Sequence, residues 1–373
     1  MSEIHFNKEE GSKLKLFTPG PVYVPERVLK ELAKPNDTHR SKPYEEMHQI
    51  ATEGLQKLLY TKNDCFIFTS SATGIMEACV RNLIKDDEKA LFLSIGAFGD
   101  RWHQIGVLNG KNAVKESVEW GKAITPEFIQ EKLSNEKYSV VCLQSNETST
   151  GVYNPIYDVI PIIKDYGALV CVDATSSMAG IKVEVDKLGI DVCLASVQKC
   201  FALPPGLAVC SISEEALEKA EQVKNRGSYF DFISMLKKNK VNQTPNTPAI
   251  PQIRGLCAQL DYILNREGLE KRFQRHTQLG KRTRIWARDI NLEMFPEKGY
   301  ESNTVSTIKN TLEIDYGVMV SKMLAKGYRI VNGYGSLTNK TFRIGHMGEI
   351  SLDNLEEMLK VLTDVITELR LNK

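Results

Sequence analysis

The sequence has 373 residues, 42% of them apolar and 25% charged, which are the proportions of a globular protein with room for two substantial cores. Its 48 Lys and Arg against 47 Asp and Glu leave a net charge of +1, which argues against a dedicated nucleic-acid or anionic-membrane surface. No apolar run reaches the roughly 18 residues needed to span a bilayer. The start of the chain is polar and of mixed charge, unlike a signal peptide, and the C-terminal Leu-Asn-Lys is not a peroxisomal address, so a cytoplasmic location is expected. The eight cysteines form no CxxC pair and sit mostly in apolar runs, which predicts buried free thiols and neither a metal site nor a disulfide framework.

In chain order, short apolar or β-branched runs predict strands over 65–69, 90–95, 113–116, 139–144, 168–173, 192–197 and 207–212. Amphipathic stretches between them predict helices, among them 74–84, 125–133 and 156–166. Strands that are apolar throughout, separated by helices, point to an α/β unit with a mostly parallel sheet covered on both faces. Lys237-Lys238-Asn239-Lys240 reads as a solvated helix end, and Pro245-Asn246-Thr247-Pro248 as a turn-rich loop suited to a site or a subunit contact.

From 248 to about 288 the pattern is continuously helical, with Leu256, Leu260, Ile263 and Leu264 at helical spacing. A strand over 304–308, a helix over 316–325, short strands over 328–331 and 341–344, and a closing amphipathic helix over 352–369 follow, predicting a smaller α+β domain. The expected division is an N-terminal arm over 1–14, a large domain over 15–267 and a small C-terminal domain over 268–373.

Ligands of open parallel sheets bind beyond the carboxyl ends of the strands, so the residues there are the candidates. Thr69-Ser70-Ser71-Ala72-Thr73-Gly74 leads into a helix, where exposed N–H groups, hydroxyls and the macrodipole favour an anion; alone, the run reads more readily as an N-cap without a ligand. Asp173 ends another strand and either pairs with a buried cation or caps a turn. Lys199, flanked by apolar residues and followed by Pro204-Pro205-Gly206, is poorly placed for a solvated charge. Burial would lower its pKa and free the amine as a nucleophile, although an isolated strand-end lysine often snorkels out.

Taken together in order, Pro19 to Pro25, Ser71-Ala72-Thr73-Gly74 with Glu77-Ala78, Glu147-Thr148-Ser149-Thr150-Gly151, Asp173, Gln198-Lys199 with Pro204-Pro205-Gly206, Thr244 to Thr247, and Phe342-Arg343-Ile344-Gly345 span most of the chain. In these motifs the sequence resembles the class V aminotransferases of the fold-type I pyridoxal-phosphate enzymes, in the alanine–glyoxylate and serine–pyruvate branch. The resemblance implies a large domain with a seven-stranded, mostly parallel sheet, and pyridoxal 5′-phosphate held by Lys199 as a Schiff base. It implies that Lys199 also moves the substrate proton, that Asp173 pairs with the pyridine nitrogen, and that Ser71, Ala72, Thr73 and Gln198 bind the phosphate. Thr148 would meet the ring oxygen and Phe98 would stack on the ring. Arg343 would clamp a substrate carboxylate beside Gly20, and Thr244 and Thr247 would complete the phosphate site of a neighbouring subunit in a homodimer. Ala72 and Phe98 stand where relatives often carry Gly and Trp, and Thr244 where some carry Tyr.

The expected reaction moves an amino group from a small amino acid, alanine or serine, to a 2-oxo acid, glyoxylate or pyruvate. Other chemistry on the same fold is the alternative: a lyase, a decarboxylase, an aminophosphonate transaminase, or a non-catalytic partner subunit. A desulfurase is disfavoured because the last cysteine is Cys257 and none lies in 332–342. No second substrate arginine is marked, and Arg40 and Arg226 are left as candidates for a distal acid.

Overall fold

The seven predicted strands form, within a residue or so at each end, one sheet. They are β1 (Asp64–Phe68), β2 (Lys89–Ser94), β3 (Asn112–Ser117), β4 (Val140–Gln144), β5 (Leu169–Asp173), β6 (Val192–Ser196) and β7 (Ala208–Ile212). This computed structural model describes residues 14–371; apart from Leu14, the expected N-terminal arm lies outside the described residues.

The strand order is β1-β7-β6-β5-β4-β2-β3, with β7 antiparallel to both neighbours and every other pairing parallel. The reason the strands read as apolar throughout is visible in the packing. Ile67, Leu91, Leu93, Val141, Leu143, Val170 and Val172 enter one buried cluster. Phe66, Phe68, Ala90, Phe92, Val140, Cys142 and Cys171, their alternates along the same strands, enter a second cluster on the opposite face. Each Val, Leu, Ile or Phe among them contributes roughly 1.5–3 kcal/mol by leaving water. β3 is an edge and differs accordingly, with Asn112, Lys115 and Ser117 exposed and Ala113, Val114 and Glu116 partly buried.

Because β2, β4, β5 and β6 run the same way, their carboxyl ends share one edge of the sheet. β1 is antiparallel to β7, which is antiparallel to β6, so β1 also ends there. The segment from β1 enters helix α1 (Ala72–Leu83), and the segment from β2 enters helix α2 (Ala97–Leu108).

One expectation is corrected. The stretch from 248 to 288 is not continuously helical: helix α3 (Ile250–Asp261) passes into a π-helical turn (Tyr262–Glu267) and stops at Gly268, with helix α4 (Leu269–Asp289) beginning beyond it. Gly268 has φ +83°, a conformation that interrupts the helical ladder and that a residue with a side chain resists. The apolar spacing continues across the break, which is why periodicity alone misses it.

The predicted run 328–331 also divides. Tyr328–Arg329 pairs in parallel with Lys15–Leu16 near the start of the described chain. Strand β9 (Val331–Asn332) pairs instead with β10 (Thr341–Gly345), which also pairs with β8 (Val305–Lys309). A third buried cluster gathers Phe17 with residues from Leu279 to Ile366, including Leu355, Met358 and Leu362 of the closing helix α5 (Leu352–Leu371). All eight cysteines are free, and all but the partly buried Cys257 are buried.

Candidate active site

The carboxyl ends of the sheet surround a cavity of about 340 Å³ lined by, among others, Ser71, Thr73, Phe98, Thr148, Asp173 and Lys199. Ala72 and Gln198 line it as well. β5 delivers Asp173 at its last residue, in register with Gln144 of β4 on one side and Leu194 of β6 on the other. Sheet pairing therefore fixes the acid relative to the segment that follows β6 and carries Lys199.

Lys199 is buried, not snorkelling. Loss of water pushes its amine down to about 8, with the nearby Arg343 cation acting the same way against the opposing influence of Cys200, Asp173 and Glu147. Its Nζ donates to the Pro19 carbonyl oxygen. Gly20 packs against the same side chain: a Cβ there would lie 2.8 Å from Lys199 Cε and 2.9 Å from Nζ, and φ is +103°. Glycine is required on both counts. Arg272 of α4, fully buried, donates to the carbonyl of Cys200 at 2.6 Å and to that of Ala179 at 2.7 Å, and pairs with Glu267 at 2.6 Å. It thus grips the backbone next to the lysine.

Burial raises the Asp173 carboxyl above its ordinary range, opposed by the Thr175 N–H at 2.9 Å and by Lys199 and Arg101. A buried acid held this way favours a further cationic partner. Around it, Thr175 Oγ1, Asn146 Oδ1 and both side-chain polar atoms of Gln144 are buried without a hydrogen-bond partner among the described residues. Orphaned polar groups of this kind mark a site meant for another molecule. The start of α1 at Ser71, where no side chain caps the helix, leaves its first N–H groups facing the cavity. A nucleophilic lysine, an acid in need of a cation, an anion-binding helix start and a cavity of ligand size fit pyridoxal 5′-phosphate.

Arg343, on β10, is held by the Asn332 carbonyl at 2.9 Å from Nε and the Thr148 carbonyl at 3.0 Å from Nη1. Burial lowers its pKa, while Glu147, Tyr316 and Tyr334 oppose the shift. Thr244 and Thr247 do not reach this cavity within the chain; they line a separate small recess with Phe68, Thr69 and Tyr229. Arg40 binds the Thr244 and Pro245 carbonyls and Gln243, and Arg226 binds Asp231 and two carbonyls, so neither sits in the Lys199 cavity.

Sequence reasoning missed several participants. Glu147 appears in the motif without a role, yet its buried carboxylate accepts from the N–H groups of Phe98 (2.9 Å), Gly99 (3.3 Å) and Ser149 (2.9 Å) and from the Ser149 hydroxyl (2.7 Å). It anchors the start of α2 and so the Phe98 ring. Arg101 lines the cavity three residues after Phe98, one helical turn on, a spacing that could have found it. Tyr334 stacks on Phe98, 5.6 Å between centroids at 25°, and no local signal points to it.

The sequence model of the family described as Aminotransferase class-V matches residues 16–309, more than half of the chain. This chain is a class V aminotransferase. It is 38% identical over 349 residues to an uncharacterized aminotransferase of Methanocaldococcus jannaschii, covering 91% of this chain and 89% of that one. It is 33% identical over 347 residues to a serine–glyoxylate aminotransferase of Arabidopsis thaliana, covering 90% and 86% respectively. The structure of a Thermus thermophilus aspartate aminotransferase superposes with a TM-score of 0.88 at 27% identity, covering 95% of this chain and 99% of that one. The fold is accordingly fold-type I, and this transaminase works with pyridoxal 5′-phosphate. Among the described residues no helix is long and apolar enough to cross a membrane.

Proposed function

We propose that this aminotransferase moves the amino group of a small amino acid, of the alanine or serine type, to a 2-oxo acid such as glyoxylate or pyruvate. The observation that carries the reading is Arg343, a buried guanidinium held by two carbonyls beside the lysine cavity and free of any carboxylate ion pair among the described residues. Such a group is suited to hold a substrate α-carboxylate through two parallel hydrogen bonds.

Bound pyridoxal 5′-phosphate supplies a ring that withdraws the electrons released at the substrate Cα. Lys199 would hold the cofactor as a Schiff base and would serve as the base that moves the substrate Cα proton; burial, which pushes its amine down to about 8, suits both tasks. Asp173 would pair with the ring nitrogen and keep it protonated. Ser71, Ala72, Thr73 and Gln198, which line the cavity, would bind the phosphate, with Thr148 for the ring oxygen and Phe98 for the ring face. Gly20 borders the substrate.

The same reading includes a cytoplasmic homodimer in which Thr244 and Thr247 of each copy serve the other's phosphate. It also includes the division at 267/268, in keeping with the separate cluster that gathers residues from Leu279 to Ile366, joined by Phe17. The test is the visible spectrum of the purified protein during stepwise addition of single amino acids. Loss of the cofactor's absorbance with alanine or serine, restored by glyoxylate or pyruvate, is the expected outcome. A spectrum that no amino acid changes would refute the reading.

A further inference from the structure

Two residues that line the cavity, Phe98 and Arg101, share a partner that the transamination proposed above does not use. Tyr334 comes from the connection between β9 and β10, stacks on Phe98, and lies with the Arg343 guanidinium carbon 5.5 Å from its ring centroid. Its hydroxyl accepts from Arg101 Nη2 at 3.0 Å, across 233 residues of sequence. Arg343 and Tyr334 are fixed together, since Asn332, two residues before Tyr334, holds Arg343 through its carbonyl.

Arg101 has unspent hydrogen-bonding capacity. It lines the cavity with Lys199 and Asp173, and its guanidinium carbon lies 4.9 Å from the Phe98 ring centroid. Among the described residues it makes an ion pair with no carboxylate and donates to the Tyr334 hydroxyl. A guanidinium carries five N–H donors in a fixed fork and cannot be discharged, so most of its capacity is unspent. Tyr334 adjoins the group proposed to hold the substrate α-carboxylate.

We infer that Tyr334 and Arg101 form a side-chain subsite that selects amino donors with a short side chain ending in oxygen, a hydroxyl or a carboxylate. The inference rests on the transamination proposed above. Tyr334 limits length through its ring and holds the Arg101 fork in place through its hydroxyl; Arg101 donates to the distal oxygen. A site built to donate to an oxygen rejects the isostere without it, because its donors are then left unpaired.

The test compares kcat/KM for serine, aspartate and 2-aminobutyrate, the last being the apolar isostere of serine, in the wild-type holoenzyme and in Tyr334→Phe. Wild type is expected to favour serine or aspartate over 2-aminobutyrate. Tyr334→Phe keeps the ring and its stacking on Phe98, and should lower that preference by about tenfold with 2-aminobutyrate little changed. Tyr334→Ala should admit donors with longer side chains. Equal use of serine and 2-aminobutyrate by the wild type, an unchanged ratio in Tyr334→Phe, or an equal loss with every donor would each overturn the subsite while leaving transamination standing. No turnover with any donor would instead refute the transamination and the subsite with it.

Discussion

The two walls of the cavity are built differently. One is the edge of a single sheet: Asp173, the Thr148 segment and Lys199 follow neighbouring parallel strands, and their spacing is set by backbone register. The other is the start of α2, whose Phe98 and Arg101 line the cavity and are backed by Tyr334 from the loop between β9 and β10 and by Arg343 on β10, residues that meet only when distant parts of the chain pack together. The sheet wall is rigid by construction and suits the cofactor, which is common to the whole family. The second wall is held by a few hydrogen bonds and a ring stack, and a change of side chain there alters which substrate fits without disturbing the sheet.

The contrast makes graded predictions. The largest effect belongs to the sheet wall: Lys199→Ala should fold normally and lose turnover by about 10³-fold or more, because both its nucleophile and its proton carrier are gone. Steady-state rates on protein with an unchanged melting temperature check this, and near-wild-type activity would break the assignment.

On the second wall, Arg343→Gln should raise KM for the amino donor roughly 10- to 100-fold, as expected for losing a charge-assisted carboxylate contact of about 1.5–3 kcal/mol, with a smaller change in kcat. The same variant sharpens the comparison through pH. Lys199 is lowered to about 8 by burial and by Arg343, so it loses its proton at lower pH than an ordinary lysine. Capture of added cofactor by the cofactor-free protein should therefore rise with pH through a midpoint near 8. Removing the Arg343 cation should move that midpoint upward. A midpoint that does not move would mean the two walls are electrostatically independent.

The smallest effect is expected at the seam. Glu147→Gln turns an acceptor-only carboxylate toward four donors with an amide that must aim its NH₂ at some of them, costing about 1–3 kcal/mol. The melting temperature should fall by several degrees, with donor KM affected more than cofactor affinity. An unchanged melting temperature would contradict the anchoring role.

The same contrast explains what the sequence made legible. Strands buried on both faces are apolar throughout, so all seven could be read, and Asp173 and Lys199 stood at their ends in a recognisable order. Arg272 was not legible, because its partners at Ala179 and Cys200 are carbonyls, which leave no trace in side-chain pattern. Tyr334 was not legible because its meaning depends on a stack with a residue far away in sequence. The helical break at Gly268 escaped because apolar spacing runs straight through it.

The central claim, that Lys199 carries the cofactor, is tested most directly by reducing the holoenzyme with borohydride and mapping the modified peptide by mass spectrometry. The account predicts a stable pyridoxyl adduct on Lys199 alone. An adduct on another lysine, or none in protein that retains its visible absorbance, would contradict it.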